Sequence, residues 1–160
     1  MGWCIIVKKA CFKGFIFGII LSFVAALFFM LFAQLFAGGI TSFWGESWLY
    51  FAVIVPFVLT FTVLGGYFHN RDVSNKKLWV ISLISTFFVT LYSGTIGAIF
   101  GEIIVRGGIE TINIEGTLIW GTIYAFIFFP FTAPVAKLLI DIFYEIIRNG
   151  KGMLKSLVSL

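Results

Sequence analysis

The chain has 160 residues, of which 61% are hydrophobic, 19% aromatic and 11% charged, and its mean hydropathy is +1.10. A soluble domain carries about 45–50% apolar and roughly 25% charged residues. A soluble globular fold is therefore excluded, because so few polar residues cannot cover its surface. The excess apolar surface must face lipid, and the loops leave no room for a second, soluble domain.

Four apolar runs are each long enough to cross a bilayer, which takes about 20 residues. They predict transmembrane helices over residues 14–37, 48–68, 78–103 and 117–136. Every basic residue except Arg106 lies at the termini, at the end of the fourth run or in the loop between the second and third runs. Short basic loops stay in the cytoplasm. The sequence thus predicts an all-α integral membrane protein, a single four-helix domain of a bacterial inner membrane with both termini inside.

The first run carries small residues at every fourth position, namely Gly14, Gly18, Ser22 and Ala26. This spacing places them on one ridge of a helix, where another helix backbone can approach closely. We interpret the ridge as a packing seam within the protein, and a seam for a second membrane protein is the alternative. The basic segment before it, residues 1–13, is expected at the membrane interface, with its lysines reaching the headgroups.

Three prolines interrupt predicted helices: Pro56 near the middle of the second run, and Pro130 and Pro134 in the inner half of the fourth. Proline removes a backbone hydrogen bond, so kinks are predicted at all three positions. The carbonyl that Pro56 leaves without a donor is that of Ala52. In lipid this carbonyl needs a partner from a neighbouring helix or from a hydroxyl such as that of Thr60.

The third run has one face of small and hydroxyl residues, spaced three or four apart. The face comprises Ser82, Thr86, Thr90, Ser93, Gly97 and Gly101. It predicts that this helix is the most buried of the four and packs centrally, with hydroxyls bonded to carbonyls of its own helix or across helices. A water-lined or ligand-lined face is the alternative, but no ionisable residue lies in its middle.

The predicted outer rim holds four of the seven acidic residues, Glu46, Glu102, Glu110 and Glu115. Glu102 lies about 36 Å along the third helix from Leu78, at or beyond the edge of the hydrocarbon. Arg106 follows one turn later, so an interfacial ion pair is predicted. Glu110 and Glu115 lie in the next loop, the largest predicted external segment. This loop is the best exposed site for recognising a molecule outside the cell. An enzyme built on this chain would have to use its carboxylates as catalytic groups.

Beyond Pro134 the pattern becomes amphipathic. Lys137 and Asp141 share a polar face with Glu145 and Arg148, while aliphatic and aromatic residues cover the other. We predict that residues 137–160 turn from the span and run along the cytoplasmic interface as an amphipathic helix, with Lys137 and Asp141 as an ion pair.

The sequence contains none of the usual catalytic or metal-binding motifs. His69 is the only histidine, and Cys4 and Cys11 complete no metal-ligand spacing. No charged residue lies in the middle of a predicted span, where proton-coupled carriers and pumps place one. We therefore predict no catalytic, cofactor-binding or metal site. The basic residues are scattered over helix ends, so nucleic acid is not an expected partner.

The leading hypothesis is a non-enzymatic membrane protein that contacts another membrane protein, or itself, through its helices, as an accessory, assembly or immunity factor. In size and composition the chain is similar to bacteriocin-immunity and conjugative entry-exclusion proteins, although no motif is shared. One alternative is a small channel or carrier for a neutral solute. Another is a lipid-modifying enzyme that uses the outer-rim carboxylates.

Overall fold

The structure is a computed structural model. It describes the backbone of residues 2–36, 38, 46–69, 71–108, 110 and 112–158, and the side chains of residues 7–35, 38, 46–69, 71–108, 110 and 112–149. The regular secondary structure in this part is entirely helical, with α1 at Gly2–Phe36, α2 at Trp48–His69, α3 at Asn75–Gly94, α4 at Ile96–Arg106 and α5 at Ile114–Val158. Four segments are long and apolar enough to cross a membrane: α1, α2, α3 together with α4, and α5. The predicted four-span helical architecture is thereby confirmed.

The third span is divided rather than continuous. Thr95 has backbone angles of φ −116° and ψ −94°, outside the helical region. Its hydroxyl donates to the Leu91 carbonyl at 2.6 Å, and its backbone N–H donates to the carbonyls of Leu91 and Tyr92 at 3.1 and 3.3 Å. These bonds satisfy the end of α3 without continuing it. The break lets α3 pack mainly against α5 while α4 packs mainly against α2.

The central helix of the bundle is α2, and our expectation that the third span is the most buried was wrong. Among the four spans, the second has the largest buried share, and α2 contacts each of the other four helices. The reason is the break at Thr95, which directs the two halves of the third span to different neighbours. Only the α4 half lies closely along α2.

The small ridge of α1 packs against α2 within the same chain. A Cβ atom added at Gly14 would overlap the Phe61 carbonyl, and one added at Gly18 would lie too close to the backbone of Val58. Ser22 and Ala26 are almost completely buried farther along the ridge. The two backbones are therefore so close that only glycine fits at the first two positions.

A second pair of glycines brings α4 against the other end of α2. A Cβ atom at Gly97 would overlap the carbonyl of Ala52, and one at Gly101 would overlap that of Trp48. The Ala52 carbonyl is the one that Pro56 deprives of its helical donor. The α-hydrogen that replaces a Cβ at Gly97 points at this oxygen, which is the arrangement of a weak Cα–H···O bond. Gly97 thus gives that carbonyl a neighbour on the adjacent helix.

The structure corrects the prediction for residues 137–160. No separate helix begins at residue 137, because α5 continues for 45 residues through Pro130 and Pro134. Its length is about 67 Å, roughly twice the hydrocarbon thickness. Residues 137–149 pack on the end of the bundle and bury one apolar face in protein. The side chains of residues 150–160 lie outside the described part.

Phe143 is the centre of the core at this end of the bundle. It is completely buried, and its ring lies 5.0 Å from that of Phe17 on α1 and 5.2 Å from that of Phe61 on α2. Beside it, the Tyr144 hydroxyl accepts a hydrogen bond from the backbone N–H of Val73 at 3.2 Å. The remaining members of this core are Ala10, Leu64, Phe68, Leu78, Ile140 and Ile147. Aromatic contacts therefore join α5 to α1 and α2, as glycine contacts join α2 to α1 and α4.

Two adjacent glycines of α2 provide a test of the close packing. A Cβ atom at Gly65 would overlap the backbone carbonyl of Ala10, whereas one at Gly66 would meet only the Cys11 Sγ, at 3.1 Å. We expect Gly65→Ala to lower the free energy of unfolding by about 1–3 kcal/mol, because a backbone cannot move aside. Gly66→Ala is the matched control and should stay within about 1 kcal/mol. Unfolding in detergent by titration with dodecyl sulfate measures both, and equal effects would contradict this packing.

Candidate functional site

The predicted ion pair at the outer rim is present. The Arg106 Nε lies 2.5 Å from the Glu102 Oε2, and the Glu102 side chain is only 20% exposed. Glu110 is exposed in the turn before α5, and Glu115 is exposed in the first turn of α5. A carboxylate at that position interacts favourably with the positive end of the helix. Neither Glu110 nor Glu115 forms an ion pair with another described residue.

Side chains next to the starts of α2 and α5 form hydrogen bonds there. The sequence patterns did not single out these bonds. The Trp48 indole donates to the Glu46 carboxylate at 2.6 Å where α2 begins. The Asn113 side chain accepts from the backbone N–H of Gly116 at 2.9 Å, which caps the start of α5. The Glu46 and Asn113 side chains are thus engaged with residues at the starts of α2 and α5. The described part of the chain contains no group of three His, Cys, Asp or Glu residues able to hold a metal ion.

The hydroxyl face of the third span is directed into protein. Ser82 and Thr86 are buried on α3, and the Ser82 hydroxyl donates to the Leu78 carbonyl at 2.8 Å. Thr90, which is partly buried, donates to the Thr86 carbonyl at 2.8 Å. Such bonds satisfy a hydroxyl within its own helix. The Thr86 and Ser93 hydroxyl oxygens are buried and have no hydrogen-bond partner among the described residues.

The neighbour of this hydroxyl face is α5, which runs antiparallel to α3. Gly94 and Gly121 bring the two backbones together, since a Cβ atom at either would meet the carbonyl of the other. Farther along, the ring of Phe87 lies 5.3 Å from that of Phe126. Ala125 and Ala133 are the buried residues of α5 along this contact. Gly94 and Gly121 thus bring α3 and α5 together at one end of a contact along which Ala125 and Ala133 are buried.

Lys137 forms the most buried charged site in the described part of the structure. The residue is 7% exposed, and its ammonium group is paired with the Asp141 Oδ2 one turn along α5. The same ammonium group lies 5.5 Å from the centre of the Trp79 ring on α3, within the range of a cation–π interaction. The sequence predicted the pairing with Asp141 but not its burial. The missing information was the register that places Trp79 of α3 over this turn of α5.

A row of exposed aromatic rings runs along the first half of α5. The rings of Trp120 and Tyr124 are stacked with their centres 5.8 Å apart, and the ring of Phe128 is tilted beside that of Tyr124, with the centres 6.2 Å apart. All three residues are exposed, whereas Gly121 and Ala125 on the adjoining face of the helix are buried. We call these three residues the α5 aromatic row.

The pair formed by Lys137 and Asp141 yields an asymmetric prediction. Asp141→Asn leaves a buried ammonium group without its counter-ion and should lower the free energy of unfolding by roughly 1–3 kcal/mol. Lys137→Met should have a smaller effect, because the Asp141 side chain is 40% exposed whereas the Lys137 side chain is only 9% exposed. The double variant should lower the free energy of unfolding by about as much as Lys137→Met alone. Unfolding with dodecyl sulfate measures all three, and a larger loss for Lys137→Met than for Asp141→Asn would contradict this account.

Comparison with known proteins gives no family for this chain. No protein-family model, no curated protein and no solved structure matches it.

Proposed function

We propose that this chain is a non-enzymatic accessory protein of a bacterial inner membrane, which binds another integral membrane protein through the outer half of α5. The observation that carries the proposal is the α5 aromatic row. The Trp120 and Tyr124 rings are stacked, the Phe128 ring is tilted beside that of Tyr124, and all three residues are exposed. Aromatic side chains offer large, rigid contact areas at little cost in conformational entropy, and they dominate the energetics of many protein interfaces.

The internal packing supports the choice of this surface. The other surface considered from the sequence, the ridge at Gly14 and Gly18, is covered by α2. A partner helix could reach it only by displacing α2, so a substitution such as Gly18→Leu would disturb the fold rather than test binding. The outer loop at Glu110 and the start of α5 at Glu115 lie next to the aromatic row in sequence and are exposed. The proposed contact surface therefore has an apolar part, the aromatic row, and an acidic part, Glu110 and Glu115.

The same packing argues for this role over the two alternatives. A route for a neutral solute along α3 would need water beside Ser82 and Thr86, and both residues are buried. An enzyme at the outer rim would draw on Glu102, which is held by Arg106. The Ser82 and Thr90 hydroxyls bond to carbonyls of their own helix, whereas the rings of the α5 aromatic row are exposed.

The orientation belongs to the proposal as well. We place both termini and the loop before α3 in the cytoplasm, because the basic residues Arg71, Lys76 and Lys77 lie in that loop or at the start of α3.

The partner surface is tested with two matched aromatic pairs. Trp120→Ala with Tyr124→Ala should abolish co-purification of a membrane-protein partner from native membranes, with at least a tenfold loss of recovered complex. The control is Phe28→Ala with Phe32→Ala, an exposed pair stacked at 6.1 Å on α1. The control should retain the partner. Loss in the control alone, or unchanged recovery in both variants, would refute the proposed surface.

The orientation is tested with reporters. A phosphatase or fluorescent-protein fusion after Ser74 should behave as cytoplasmic, and one after Glu110 as external, because the charges at the start of α3 remain inside. A thiol-specific, membrane-impermeant reagent applied to cysteines introduced at the same two positions gives an independent measurement. Labelling of a cysteine at position 74 from outside intact cells would show that the protein has the opposite orientation.

A further inference from the structure

We infer that the basic end of α1 is a binding surface for anionic phospholipid, formed by Lys8, Lys9 and Lys13 around Phe12. These four residues line a shallow, open concavity on the outside of the bundle. All four are exposed, and Phe12 is 64% exposed. The inference is independent of the proposed contact through α5, which uses another helix and another part of the fold.

The position of the surface on α1 follows from the contact with α2. Ala10 and Gly14 are buried, and Gly14 lies against the backbone of Phe61. At 100° per residue, Lys8 and Phe12 point away from that contact, and Lys9 and Lys13 lie on the adjoining flank. The lysines therefore surround an apolar side chain on a face that α2 does not cover.

The depth of the surface fits the headgroup layer. From Lys13 to Leu35 the helix rises about 33 Å, which is close to the thickness of the hydrocarbon. Lys13 thus lies at the hydrocarbon edge, and Lys9 lies one turn beyond it. Phe12 stacks on Phe15, with ring centres 6.5 Å apart and planes inclined by 13°, and so forms an apolar edge directed toward the acyl chains.

Charge complementarity indicates which kind of lipid binds to this surface. In the described part of the chain, the two ion pairs are those of Arg106 with Glu102 and of Lys137 with Asp141. No described carboxylate therefore neutralises the three lysines. A lipid with a net negative headgroup supplies that charge, and its acyl chain covers Phe12 and Phe15. A zwitterionic lipid supplies the chain without the net charge.

The test measures binding of fluorescent phosphatidylglycerol to the full chain in neutral detergent by anisotropy. Replacing Lys9 and Lys13 by Gln should weaken the apparent affinity on the order of 30-fold, since each lysine near an anionic lipid contributes about a fivefold factor. The charge-matched control replaces Lys76 and Lys77 by Gln at the start of α3. It should change the affinity by less than about threefold, because these two residues lie outside the surface.

Competitors distinguish the sources of the anion. Unlabelled phosphatidylglycerol should displace the probe, whereas phosphatidylcholine and inorganic phosphate at the same concentration should not. Thermal unfolding without added lipid verifies that both double variants keep the wild-type fold. Three results would each overturn the inference: equal losses in the two double variants, wild-type affinity after the replacement of Lys9 and Lys13, or displacement by phosphate alone.

Discussion

The approach of α2 to its neighbours at backbone distance is the contact on which the bundle depends. Inside a bilayer the hydrophobic effect does not drive helices together, since lipid tails are as apolar as leucine side chains. Dispersion and weak polar contacts remain, and both grow as backbones come closer. Gly14 and Gly18 of α1 meet one part of α2, and Gly97 and Gly101 of α4 meet another. Both pairs have the spacing of four that places two glycines on one face of a helix.

The break at Thr95 follows from this arrangement. A straight third span would have to follow either α2 or α5 along its whole length. By ending α3 at Gly94 and starting α4 at Ile96, the chain lets one span serve both neighbours. Pro56 in α2 is consistent with the close contact of α2 and α4, because the carbonyl that it leaves without a donor lies against Gly97.

The sequence predicts those features that depend on local periodicity. The four apolar lengths, the small ridge of α1 and the ion pair of Arg106 with Glu102 follow from spacing along a single helix. The break at Thr95 does not, because no proline marks it and the apolar run continues past it. The prediction for residues 137–160 failed for a related reason. An amphipathic face looks the same whether lipid or protein covers it, and here Phe143 and Ile147 are covered by protein.

The continuity of α5 connects the two ends of the molecule. The same helix carries the α5 aromatic row in its first half and Phe143 in the core formed with α1 and α2. A tilt or rotation of the first half would therefore also act on that core, except for what is absorbed where Pro130 and Pro134 remove backbone hydrogen bonds. Lys137 lies between these prolines and the core, held by Asp141 and covered by Trp79. Lys137 and Asp141 lie on the same helix, so the contact of the Lys137 ammonium group with the Trp79 ring is the one that crosses to α3, and sliding α5 along α3 would expose this buried charge.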